Sequence, residues 1–489
     1  MTSRPRDGRP GAPDPTPAGR VGAISTAPEG TDVDVSLRAI FRGRRGRLLG
    51  ALLFTEFGAA VHSIAYSSVL PLASAELDGS ALYGAVLTAG AFTTILVLAA
   101  GPDRFARIGP VWTLAVGTVL FLAGVALAVA AQDMLWILVG MVLRGLAAGL
   151  LAGLGLTAIG ALFEDALRPR VMGLFAVMWL LPSLAGPALN AAVAVAAGWR
   201  AAMAWPAVVV LVGRLLVGRD AAMIPWRGAS VERPDLGNVV ALLLGLVLAA
   251  TAPAASSGWG VPMLVAGLAV ATAASLRVLR VQVSAQPVRF LTTASFFGLC
   301  LAFFGGSGIV SLAVVDGLGN GVVASNVAVG AGLLAWAVTG TRSPRLDDRV
   351  GDSAVLGLVV LCVALLACSL TLTPLLPSPT ALPVLVAAWS LAGLGMGVAY
   401  PRISSQAMDD LATERVPAAA TAVAFAETSG TAVGSLLGGG TYSLASAHAV
   451  APGTSIGWAY LLLTGAGVAA LLVCVRRRRA PAPRPGASA

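Results

Sequence analysis

LLGALLFTEFGAAVHSIAYSSVL, from Leu48 to Leu70, is an apolar run interrupted by one glutamate, Glu56, and one histidine, His62. At about 1.5 Å of rise per residue, a helix of this length crosses the roughly 30 Å hydrocarbon layer of a bilayer. The surroundings repeat the pattern: 57% of the residues are hydrophobic, 11% are charged and the mean hydropathy is +0.86. Ordinary soluble domains do not have this composition. Further runs at 81–100, 111–131, 135–163, 171–197, 201–218, 237–254, 261–279, 291–314, 321–340, 353–374, 381–408, 416–444 and 454–475 have the same character. The sequence therefore predicts an all-α polytopic membrane protein with about fourteen transmembrane helices.

Charge sets the topology. The chain has no lysine, so all 32 residues of the Lys and Arg class are arginine. Arg42, Arg44, Arg45 and Arg47 precede the first run. Later arginines fall in alternate connections: Arg104 and Arg107, Arg168 and Arg170, Arg219, Arg227 and Arg233, Arg277, Arg280 and Arg289, Arg342, Arg345 and Arg349, then Arg415 and Arg476 to Arg479. Basic residues collect on the cytoplasmic face, so the alternation predicts a multi-pass protein of the cell membrane with both termini in the cytoplasm. Arg200 alone breaks it. The net charge of +9 is then topology and lipid contact, and no nucleic acid is expected as a partner. The proline-, glycine- and arginine-rich segment before residue 48 and the basic tail 476–489 read as disordered cytoplasmic ends, and no cleavable signal peptide is expected.

Several chemistries are disfavoured. A phosphate-binding loop needs a lysine, so ATP is not the expected energy source. GGSG at Gly305 to Gly308 resembles the nucleophile motif of intramembrane rhomboid proteases, but the histidines are only His62 and His448, and a small-residue helix face is the better reading. Two histidines without an Asp or Cys cluster make no metal set, and Cys300, Cys362, Cys368 and Cys474 lie in apolar runs as small hydrophobes. The expectation is no enzyme, no cofactor and no metal.

AAGPDRFARIGP, Ala99 to Pro110, resembles the signature loop of the major facilitator superfamily through Asp103, Arg104 and Arg107. SPRLDDRVGD, Ser343 to Asp352, echoes it through Asp348, Arg349 and Gly351. LRGLAAG carries Arg144, similar to the family's arginine in the fourth helix, and LAGPALN keeps Gly186 and Pro187 of the antiporter-associated motif, with GWR at Gly198 to Arg200 behind it. MGVAYPRIS, Met396 to Ser404, looks like the corresponding helix of the second bundle in actinobacterial members. The resemblance is to the fourteen-span drug:proton antiporter branch. It implies a first six-helix bundle over 48–218, a linker over 219–289 holding an inserted two-helix hairpin, and a second six-helix bundle over 290–475. It also implies alternating access, with the signature-loop charges as gating latches.

Ionisable groups at mid-membrane depth are functional candidates, because each costs about 2.5–3.5 kcal/mol to insert. Glu56, His62, Arg144 and Glu427 are the ones expected there. Glu56 and His62 stand about 240° apart round a helix and so meet different neighbours. The family's adjacency of its first and fourth helices makes Arg144 the expected partner of Glu56. His62 stands where relatives commonly have an aspartate, nine residues before Pro71. These groups read as proton-coupling or substrate-binding residues, with a polar helix–helix contact as the other reading. Arg214 and Arg402 read as anchors reaching the membrane surface. Trp179, Phe303, Phe304 and Trp336 are candidate cavity walls. The expectation is a monomeric, proton-gradient-driven exporter of small amphiphilic organic compounds, partnered by protons, substrate and the lipid bilayer. A proton-coupled importer of a metabolite and a non-transporting sensor or scaffold are the alternatives.

Overall fold

The computed structural model describes residues 40–77, 83–100, 108–164, 167–225, 235–255, 258–284, 286–342, 353–372, 378–409, 411–412 and 415–479. Regular structure among them is helical: α1 (Gly43–Glu76), α2 (Tyr83–Ala100), α3 (Gly109–Val129), α4 (Met134–Leu162), α5 (Arg168–Gly218), α6 (Leu236–Thr251), α7 (Gly260–Gln282), α8 (Pro287–Leu312), α9 (Val322–Gly340), α10 (Ser353–Thr371), α11 (Ser378–Gln406), α12 (Val416–Ala447) and α13 (Pro452–Arg479). Eleven stretches among the described residues are long and apolar enough to cross a membrane, and α2 adds a shorter apolar run, Ala89–Ala100. The chain is a multi-pass membrane protein.

Local chemistry sets the helix ends. The Asp133 carboxylate caps α4 by accepting from the amides of Leu135 and Trp136 at 2.8 and 3.4 Å, and Asp235 caps α6 through the Gly237 amide at 3.3 Å. Prolines sit in the first turns of α3, α5, α8 and α12, where an amide hydrogen is not needed. α5 is broken at Gly198, whose φ of 82° only glycine adopts without cost, so its arms 168–197 and 199–218 run separately.

Small residues govern the packing. An added Cβ on Gly430 would lie 2.5 Å from the Phe297 carbonyl, and one on Gly438 3.1 Å from that of Gly305. Gly434 meets the Leu301 carbonyl more closely still. The spacing of four puts all three on one stripe of α12, pressed against α8, as the sequence leads one to expect. α6 and α7 pair in the same way, with Gly245 and Gly267 abutting each other's backbones. Leu264 of α7 then lies against Gly440 of α12.

The contacts joining α1–α5 to α8–α13 gather toward the end of the molecule where α1 begins and α13 stops. There, Arg168 donates through Nε to the Phe163 carbonyl at 3.0 Å. Its Nη1 donates to the Met408 carbonyl at 3.0 Å and pairs with Asp409 at 3.3 Å. Gly160 abuts Met408 and Val416, and Gly173 abuts Gly340. Arg44 and Arg47 hold Asp220 at 3.1 and 3.6 Å, tying the start of α1 to the end of α5. At the opposite end, Tyr66, Leu70, Val86, Ala128, Met134, Trp199 and Met203 form a core confined to the first five helices. Arg200, the arginine out of alternation, is held there by Glu76 at 2.6 Å and by the Ala131 carbonyl at 2.9 Å. The bond from Arg200, followed by that from Trp199, keeps the Glu76 carboxyl below its ordinary range.

Candidate functional site

Two carboxylates, one from each half, converge in the interior. On α1, the Glu56 Oε1 accepts from the indole Nε1 of Trp179 on α5 at 2.8 Å. On α12, the Glu427 Oε2 accepts from the hydroxyl of Tyr400 on α11 at 3.0 Å. Glu56 is close enough for its charge to act on both Glu427 and Tyr400. Each carboxylate is thus oriented by one aromatic donor from its own half, and the charge of one reaches the other. Such a pair is suited to holding one shared positive charge, whether a proton or an organic cation.

Helix packing fixes these positions. α5 lies along α1: the Asn190 side-chain amide donates to the Ala65 carbonyl at 2.7 Å and accepts from Trp205 Nε1 at 3.0 Å. Gly186, one turn away, leaves room for Ile64, since its Cβ would stand 3.2 Å from the Ile64 methyl. The Pro187 backbone continues α5, and its side chain lies outside the described residues. On the other side, the stripe at Gly430, Gly434 and Gly438 brings α12 onto α8 just beyond Glu427. Aromatic rings wall the second half: Phe296 and Tyr400 lie 5.0 Å apart, Trp336 and Tyr400 5.6 Å, and Phe303 stacks on Trp389 at 5.3 Å. Phe303 and Trp336 are buried in this packing, so they support the site from behind, while Trp179 touches it directly.

The expected pairing of Glu56 with Arg144 is not formed. Arg144 meets α1 about 15 Å farther along its axis, where its guanidinium stacks 4.1 Å from the Tyr66 ring centre and its Nη1 contacts the Met141 sulfur at 3.1 Å. The rotation of α4 decides this: Gly124 of α3 accommodates the Arg144 stem, and the side chain follows that groove. His62 is 3% exposed and packs edge-on against Phe121, with ring centres 4.9 Å apart, away from both carboxylates. Arg214 is buried rather than reaching the surface, stacking 4.4 Å from Phe121 and donating to the Gly117 carbonyl at 3.2 Å. Asp103, Arg104, Arg107, Asp348 and Arg349, the expected gating loops, lie outside the described residues. Among the described residues no three His, Cys, Asp or Glu side chains converge as metal ligands. Tyr400 escaped the sequence reading, although a hydroxyl in an apolar run beside Pro401 was the available signal.

The sequence profile of the Major Facilitator Superfamily matches residues 52–435. A probable multidrug-efflux transporter of Mycobacterium tuberculosis is 28% identical over 463 residues, which cover 88% of this chain and 96% of the relative. A bacterial homologue of the iron transporter ferroportin, solved in an outward-facing state, superposes with a TM-score of 0.62 at 13% identity, over 89% of this chain and 99% of its own. The proton:xylose symporter XylE superposes with a TM-score of 0.57 at 16% identity, over 88% and 94%. These two likenesses concern the fold.

Proposed function

Because the chain belongs to the major facilitator superfamily, we propose that it is a proton-coupled exporter of amphiphilic, cationic organic compounds, working by alternating access. The observation that carries this reading is the opposed pair, Glu56 on Trp179 and Glu427 on Tyr400, contributed by the two halves and within electrostatic reach of each other. A site made from both halves changes its geometry whenever the halves rock, and this is what couples a bound charge to a conformational change. Glu427 is the proton carrier and Glu56 the substrate anchor in this scheme. The M. tuberculosis relative, named for multidrug efflux, favours export. The fold alone sets no direction, since it is shared with a sugar symporter.

The architecture we assign is fourteen spans in the cell membrane, with six-span bundles over 48–218 and 290–475 and an extra hairpin within 219–289. Both termini are cytoplasmic, the functional unit is a monomer, and no cofactor takes part beyond the proton gradient. Asp103, Arg104, Arg107, Asp348 and Arg349 serve as cytoplasmic gate latches, and Gly186 with Pro187 shapes the α1–α5 contact. The arginine alternation supports this orientation. The test is flux of a fluorescent lipophilic cation into proteoliposomes under an imposed pH gradient, with a collapsed gradient as control. Gradient-dependent accumulation supports the proposal, and gradient-independent behaviour contradicts it. Labelling an Arg227→Cys variant from outside intact cells tests the orientation, which predicts no modification.

A further inference from the structure

The first half encloses a second polar cluster, of opposite sign to the carboxylate pair. His62 and Tyr66 of α1, Phe121 of α3, Arg144 of α4 and Arg214 of α5 meet there. His62 is 97% buried by its 3% exposure, and neither of its ring nitrogens has a hydrogen-bond partner in the protein. The Nε hydrogens of Arg144 and Arg214 are also buried without a partner. Both guanidinium charges act on His62. Among the described residues, no carboxylate forms an ion pair with Arg144 or Arg214.

Guanidinium stays protonated in proteins, and an imidazole carries at least one N–H in either charge state. The cluster is therefore donor-rich, doubly positive and lacking a counter-charge. Stacking on the rings of Tyr66 and Phe121 offsets part of the charge but satisfies no N–H. Buried cations and N–H groups left in this condition are costly, and a bound anion relieves both deficits at once.

We propose that the His62–Arg144 cluster, backed by Arg214, is a binding site for a small monovalent anion of chloride size, held inside the first half and separate from the carboxylate pair. A compact ion suits the place because the enclosing walls are rings and close helix contacts: Gly117 abuts Leu151, and Gly124 abuts the Gly140 backbone at 2.5 Å from an added Cβ. The anion's role is to neutralise the pair of arginines so that α1, α3, α4 and α5 stay packed as one body.

The test uses the purified full-length protein with chloride as the probe. Binding of radiolabelled chloride is measured at equilibrium, and thermal unfolding is compared in sodium chloride and sodium gluconate at equal ionic strength. The expected result is saturable chloride binding near one ion per chain and a chloride-dependent rise in Tm of several degrees. Replacing His62 with aspartate supplies an internal counter-charge, so His62→Asp should abolish chloride binding while raising Tm in gluconate toward the wild-type value in chloride. Arg144→Gln should lose chloride binding as well. Absence of saturable binding to the folded wild-type protein would overturn the site. So would chloride binding that His62→Asp leaves intact, or stabilisation by benzoate without any by chloride, which would assign the cluster to an acidic organic ligand instead.

Discussion

Replacing Arg168 with alanine should release the halves from the conformation in which they meet at the terminal end of the molecule. The side chain is 10% exposed, and its cross-half contacts include the 3.0 Å bond to the Met408 carbonyl and the 3.3 Å pair with Asp409. A buried hydrogen bond from a charged donor contributes about 1.5–3 kcal/mol. With Asp409 24% exposed, the ion pair adds only about 0.2–1 kcal/mol. The total of about 2–4 kcal/mol corresponds to a roughly 30- to 700-fold shift between conformers. Spin labels at Val195 and Val323, which are 90% and 79% exposed on α5 and α9 near the opposite end, report it as an interlabel distance. The four native cysteines are buried and do not compete for label. The distance distribution should move to shorter values in Arg168→Ala, and Asp409→Asn should do the same more weakly. A folded Arg168→Ala protein with an unchanged distribution would refute the idea that this contact holds the halves.

Other substitutions probe packing, the anchor and the far end. Gly434→Leu forces a side chain into the Leu301 carbonyl and should destabilise the protein by at least about 1–3 kcal/mol, whereas Gly439→Ala, with open space around it, should leave thermal unfolding nearly unchanged. Glu56→Gln removes a charge and should weaken binding of a lipophilic cation roughly tenfold or more, measured by equilibrium titration; unchanged affinity would remove Glu56 from the substrate site. Glu76 is held below its ordinary value of 4.5, so its contribution is present above that range and fades as pH falls through the lower folded value. The Tm difference between wild type and Glu76→Gln should therefore be largest near neutrality and shrink under acid conditions; a difference that persists or grows in acid would contradict the pairing with Arg200.

The helices were legible because bilayer thickness turns hydropathy and length into a direct readout. The glycine stripe at 430, 434 and 438 was legible for a related reason: helical spacing puts the three on one face whatever the neighbour is. Partners were harder. Glu56 and Glu427 announce themselves as charges in apolar runs, but Trp179 and Tyr400 are selected by the rotation of α5 and α11, which hydropathy does not encode. The same limit explains Arg144, which belongs by sequence near α1 yet follows the groove at Gly124 to Tyr66 instead of Glu56. Arg214 stands near a helix end, which suggests an outward reach, but a long side chain can turn inward when a ring such as Phe121 and a carbonyl such as that of Gly117 receive it. The break at Gly198 lies beside the Glu76–Arg200 tie, which joins the end of α1 to the second arm of α5.

Proton coupling through the opposed carboxylates is tested most directly by Glu427→Gln in proteoliposomes, comparing uptake driven by a pH gradient with energy-independent substrate exchange in the same preparation. The account predicts that gradient-driven accumulation is lost while exchange persists, because the substrate anchor at Glu56 and its bond from Trp179 are untouched. Gradient-driven accumulation at the wild-type rate in Glu427→Gln would contradict it and leave that carboxyl a packing group on Tyr400.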